Sequence, residues 1–135
     1  MMHEVTLKRT IVDNKGVDKD ISEKYLVENK VFCAEAEATM LEHWNSECEV
    51  TSVRQSKIVE FVNTRKDEEQ EIYLAEVESI FIGDDGEEKA TKYVVGLFST
   101  SVEEATSQMR EYMKQGILDM KLTSVKRTKI VELLN

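Results

Sequence analysis

Thr51-Ser52-Val53-Arg54-Gln55-Ser56-Lys57-Ile58-Val59-Glu60-Phe61-Val62-Asn63 is the stretch that decides the fold. It returns 72 residues later as Thr123-Ser124-Val125-Lys126-Arg127-Thr128-Lys129-Ile130-Val131-Glu132-Leu133-Leu134-Asn135, with eight of the thirteen positions identical. Upstream, Lys24-Tyr25-Leu26-Val27 reads like Lys92-Tyr93-Val94-Val95, and the turn sequence Asp13-Asn14-Lys15-Gly16 reads like Gly83-Asp84-Asp85-Gly86. Three anchors in one order mark an internal duplication. The chain therefore reads as a single domain made of two repeats, 1–63 and 71–135, joined by the charged linker 64–70. Each repeat carries eight basic and twelve acidic side chains, so neither is a charged tail.

Within each repeat the hydrophobic period changes in the same order. Val5, Leu7 and Ile11 alternate with polar residues as a half-buried strand does, the turn follows, and Ile21–Val27 returns. Cys33–Asn45 then takes helical spacing, with Ala36, Met40 and Trp44 on one face, and Val50–Val62 closes the unit as one long strand. The second repeat gives strands 72–82 and 91–97, a helix over 102–115 with Ala105, Met109 and Tyr112 facing inward, and a last strand 118–134. Ser101-Val102-Glu103-Glu104 is a capping box, Gly116 suits a left-handed helix end, and Cys33 takes the first helix's N-cap. One such unit of about 60 residues buries too little apolar surface to stand alone comfortably. The expected fold is α+β: a duplicated strand-strand-helix-strand unit, six mainly antiparallel strands, two helices and a pseudo-twofold axis, with edge strands free for dimerisation.

Tyr25-Leu26-Val27-Glu28 followed by Phe32-Cys33-Ala34-Glu35-Ala36-Glu37-Ala38 resembles the signature of an uncharacterised domain-of-unknown-function family found in gut Bacteroidetes and the crAss-like phages that infect them. The resemblance spans the whole chain, including Lys92-Tyr93-Val94-Val95 and Glu103-Glu104-Ala105. It implies a phage or mobile-element setting and assigns no activity.

The 135 residues carry 18 basic and 27 acidic side chains, a net charge of −9, which argues against a uniformly basic, duplex-wrapping surface. No apolar run approaches the ~18 residues of a spanning helix, and the first residues are no signal peptide, so a cytoplasmic protein without a membrane is expected. Two cysteines and two histidines are too few for a closed zinc site with a catalytic site besides. The acidic clusters Asp84-Asp85-Gly86-Glu87-Glu88 and Asp13, Asp18 and Asp20 sit where turns need Asp and Gly, so no metal and no cofactor is expected. Cys33 and His43 are the nearest approach to a nucleophile and a base, and each reads better as an ordinary helix-end residue, His3 as part of a frayed terminus. No enzyme is expected.

Positive charge is concentrated in one place. The two copies of the closing strand are the acid-free basic stretches of an acidic chain: Arg54 and Lys57 in the first, Lys121, Lys126, Arg127 and Lys129 in the second. If the copies lie side by side, Arg54, Lys57, Lys126, Arg127 and Lys129, with Tyr25, Tyr93 or Phe61 in reach, would hold single-stranded nucleic acid through phosphates and stacking. Cross-strand pairing with Glu60, Glu132, Glu76 or Glu78 is the competing reading. The leading expectation is a non-enzymatic binding or assembly protein, phage or prophage encoded, that recognises a protein partner or itself, as a homodimer, through a sheet surface or edge. A single-stranded nucleic-acid binder and a small-ligand sequestering protein are the alternatives.

Overall fold

A computed structural model describes residues 1–116 and 119–135. Leu118, the expected first residue of the last strand, lies outside them. The described residues form eight strands and two helices: β1 (His3–Val12), β2 (Asp18–Val27), α1 (Cys33–His43), β3 (Glu49–Gln55), β4 (Ile58–Phe61), β5 (Glu71–Ile82), β6 (Glu88–Ser99), α2 (Val102–Lys114), β7 (Asp119–Arg127) and β8 (Ile130–Leu134). The α+β class and the two helices hold; the six-strand unit does not. Each expected closing strand is two strands, broken at Ser56-Lys57 and again at Thr128-Lys129. No proline or glycine marks either break, although the backbone bends at Lys57. The strand leaves one sheet and enters another.

Two mixed four-stranded sheets result, ordered β3-β1-β2-β8 and, read in the matching direction, β7-β5-β6-β4. In each the hairpin and the first half of the closing strand pair antiparallel, and the second half of the other repeat's closing strand joins in parallel. The compact units accordingly run across the repeats: Met1–Ser56 with Lys129–Asn135, and Lys57–Thr128.

Both hairpins close on the same backbone bond, the Gly16 and Gly86 amides donating to the Asp13 and Gly83 carbonyls at 3.0 and 2.9 Å, with the aspartate at a different position in each turn. Asp13 Oδ1 accepts from the Lys15 and Val17 amides at 2.8 and 3.0 Å, and Asp85 Oδ1 from the Glu87 amide at 3.1 Å. Gly16 and Gly86 follow at φ 77° and 76°, where a β-carbon is penalised. The acidic tips thus serve turn geometry. These glycines, and the bulges at Thr6/Leu7 and Glu76/Val77, align the hairpins at an offset of 70. Tyr25 therefore corresponds to Val95 and Leu26 to Gly96, while Lys92-Tyr93 lies two residues earlier on the same strand. The matching Lys-Tyr-x-Val words are not structural equivalents.

Each helix covers one sheet face. Val5, Leu7, Tyr25 and Val27 pack with Ala36 and Met40 of α1; Tyr73, Ala75, Val77, Val95 and Leu97 pack with Ala105 and Met109 of α2. Trp44 and Tyr112 are half-buried at the margins of these cores. The opposite faces also bury apolar residues, Met2 and Leu26 in the first unit, Ile58, Ile72 and Phe98 in the second. His3 is a buried strand residue, 2% exposed, and not part of a frayed end.

Ser101 caps α2 as expected, its Oγ accepting from the Glu104 amide at 3.1 Å. The N-cap of α1 is Phe32, which offers no side-chain bond; Cys33 is the first helical residue and is exposed. Gln115, in right-handed conformation, ends α2, and the positive-φ glycines are Gly16 and Gly86, so Gly116 does not act as a left-handed cap.

Candidate functional site

Among the described residues, Arg54 lies on β3 and Lys121, Lys126 and Arg127 on β7, strands that end their sheet orders. β3 ends the first sheet and β7 the second, each hydrogen-bonded to a neighbour on one side in the sheet order. Such edges present unpaired amides and carbonyls, which a further strand can use. Arg54 on β3 reaches Glu4 Oε1 through Nη2 at 2.9 Å, and Lys24 approaches the same oxygen at 3.5 Å. Arg127 closes β7 with its Nη2 donating to Glu71 Oε1 at 2.7 Å. The acids that pair the two arginines are Glu4 and Glu71, one strand over from each. Lys126, opposite Leu74, is exposed, as are Lys57 and Lys129 at the two strand breaks. Lys121 stands opposite Glu78, which faces Lys92 on its other side.

The five cations divide between the compact units. Arg54 and Lys129 belong to the first; Lys57, Lys126 and Arg127 belong to the second. Among the aromatics, Tyr25 is 2% exposed beneath α1 and offers no face to a nucleobase. Phe61 and Tyr93 are half-buried, Phe61 tilted against Phe98 with ring centroids 5.2 Å apart and Tyr93 donating its hydroxyl to Met120 Sδ at 3.4 Å.

A second cluster, in the first unit, was not anticipated. Arg9 pairs with Glu23 through Nε and lays its guanidinium 4.4 Å from the Trp44 ring, with His43 and Tyr25 edge-on or tilted to that ring system at 5.3 and 6.3 Å from Trp44. Burial, then Glu23, pushes the Tyr25 hydroxyl up to about 12, and the Glu23 hydrogen bond raises Arg9 further. In the second unit Tyr112 donates to Glu60, which with burial pushes it to about 12 as well. Burial also raises the Cys48 thiol. Every resolved shift favours the protonated form, so these groups hold protons and are poor bases or nucleophiles at neutral pH. The spacing Arg9…Glu23 across a hairpin, with Trp44 ending the helix above, was the available signal.

One groove of about 580 Å³ runs along α2 in the second unit, with Asn63, Lys66, Gln70, Gln108 and Tyr112 on its walls. Its lining is mostly amide and carboxylate, and Gln108 Oε1 is buried there without a partner. Among the described residues no group of His, Cys, Asp or Glu could hold a metal ion, and no helix is long and apolar enough to cross a membrane.

The family model for a domain of unknown function, DUF4494, matches residues 1–135, the full length of the sequence. The chain belongs to this family. No curated protein matches its sequence. The sequence showed the basic stretches as composition and expected them side by side; it did not show that they fall on strands ending their sheets, nor that each stretch continues into a strand of the other sheet.

Proposed function

We propose that this DUF4494 chain is a non-enzymatic binding or assembly protein, phage or prophage encoded and working in the host cytoplasm, that takes up an acidic extended segment of a protein partner along β7. One observation carries this reading. β7 is a nine-residue strand at the end of its sheet with exposed Lys121, Lys126 and Arg127, in a chain of net charge −9. Cations along an edge oppose pairing with a second copy of the same edge and favour a strand of opposite charge. The free thiols Cys33 and Cys48 support a reducing compartment, and the phage setting rests on the Tyr25–Ala38 signature.

The test is fluorescence anisotropy with two labelled probes, an alternating Glu-Val peptide and a single-stranded oligonucleotide, each at low and moderate salt. Peptide binding that is lost in Lys121→Glu/Lys126→Glu, and that protects β7 amides from hydrogen exchange, is the expected result. Oligonucleotide binding alone, falling steeply with salt, would transfer Lys57, Lys126 and Arg127 to a nucleic-acid site. Binding of neither probe overturns the edge reading.

A further inference from the structure

The most closely repeated part of the sequence does a job that the repeat alone does not explain. Lys57-Ile58-Val59-Glu60-Phe61-Val62-Asn63 and Lys129-Ile130-Val131-Glu132-Leu133-Leu134-Asn135 are the two segments that cross to the other unit and dock in parallel, β4 on β6 and β8 on β2. Each hairpin's second strand is thus a seat for a Lys-Ile-Val-Glu-x-x-Asn strand. The two differ where they meet their seats. Phe61 stands opposite Gly96, and a β-carbon added at Gly96 would lie 2.6 Å from the Phe61 ring. At the corresponding place Leu133 stands opposite Leu26. A large residue over none, and a medium residue over a medium one, keep each docking strand in its own seat by size.

The two strands are not held equally. Ile58 of β4 is 5% exposed, and β4 is continued by Asn63, whose side chain both donates to the Phe98 carbonyl and accepts from the Phe98 amide, at 2.9 and 2.8 Å. No residue of β8 is fully buried, although it exposes Val131 where β4 exposes both Val59 and Glu60; what β8 lacks is a deep anchor like Ile58 and a two-bond clamp like Asn63. At the end of β8 the Leu134 carbonyl accepts from the Glu28 amide at 2.8 Å, and past it Asn135 takes one side-chain bond from Asn29 at 3.2 Å. The less anchored strand opens more often, and an opened strand leaves a seat shaped for an identical strand.

We propose that the β2 edge of the first unit is an exchangeable parallel-strand site, and that its occupant in trans is the β8 of a second copy of this chain, giving reciprocally strand-exchanged dimers. The inference is independent of the β7 reading. In such a dimer every β8 contact is re-formed, so the dimer differs from the monomer mainly in which copy supplies the strand, and the rate of interchange follows the opening of β8.

Two differently tagged full-length copies, mixed and incubated, test this by the appearance of mixed dimers on affinity capture and by their mass. Mixed dimers are expected to accumulate slowly in the wild type and about tenfold faster or more in Leu133→Phe, which crowds Leu26. Leu26→Gly/Leu133→Phe, which imports the Gly96/Phe61 fit, is expected to slow them again. Lys121→Glu/Lys126→Glu should leave the rate unchanged, which separates this exchange from association along β7. Absence of mixed dimers, or a rate indifferent to Leu133→Phe, overturns the proposal. Should Leu133→Phe fail to fold, wild-type hydrogen exchange decides: the Glu28 amide, bonded to β8, must exchange faster than the Val62 amide, which bonds to the Gly96 carbonyl. Equal protection overturns the proposal too.

Discussion

The first and second units share a topology strand for strand, yet they are stabilised by different means. The second has a capped helix, an Asn63 clamp and an aromatic ring seated on a glycine. The first has an uncapped helix beginning at an exposed Phe32, and a cation-on-indole cluster of Arg9, Glu23 and Trp44 in its place. A duplicated sequence therefore preserves the path of the chain more faithfully than the contacts that hold it.

The comparison breaks most visibly at the cores. Met40 and Met109 are both fully buried at corresponding helix positions, and truncating either to alanine should cost about 2–5 kcal/mol in chemical denaturation. Clearly unequal losses would mean that the two helices do not do the same work. Next is the seat of β4. Gly96→Ala should destabilise by about 1–3 kcal/mol, and pairing it with Phe61→Leu should recover most of that, which melting temperatures of the single and double variants would read.

How much of this was legible is decided by particular residues. The hairpins were legible because Asp13, Gly16, Asp85 and Gly86 have a chemical reason to be where they are. The helix faces were legible from Ala36, Met40, Ala105 and Met109. The strand crossings were not, since Val53-Arg54-Gln55-Ser56-Lys57-Ile58 keeps the look of one strand and a change of sheet needs no turn residue. Nor was the helix edge: Trp44 and Tyr112 fall on the predicted faces but lie at the core's margin, where periodicity does not separate half-burial from burial. The basic stretches were visible as composition but their place at sheet edges was not, and their partners Glu4 and Glu71 depend on register across about 50 residues of chain.

The caps sharpen the contrast at smaller scale. Ser101→Ala should lose about 1 kcal/mol, while Phe32→Ser, which supplies the missing cap at a residue already in extended conformation and 67% exposed, should raise the melting temperature. The reverse sign for Phe32→Ser would show that its ring has a partner of its own. Last is a pH effect that both units share. Tyr25 and Tyr112 keep their protons up to about 12, above the ordinary value near 10. Between those values the folded chain binds more protons than the unfolded one, so stability should fall as pH rises through that window. Tyr25→Phe and Tyr112→Phe should each flatten the fall in denaturation curves recorded across it.

The exchanged strands also set an order of assembly during synthesis. The second unit is contiguous, Lys57–Thr128, and can complete its sheet as soon as that stretch has emerged. The first unit, whose hairpin and helix are made earliest, lacks its fourth strand until Lys129–Asn135 has been translated. Met1–Ser56 must wait for Lys129–Asn135, with the edge of β2 open in the meantime, so neighbouring nascent copies on one message would meet at the moment when that edge is most available.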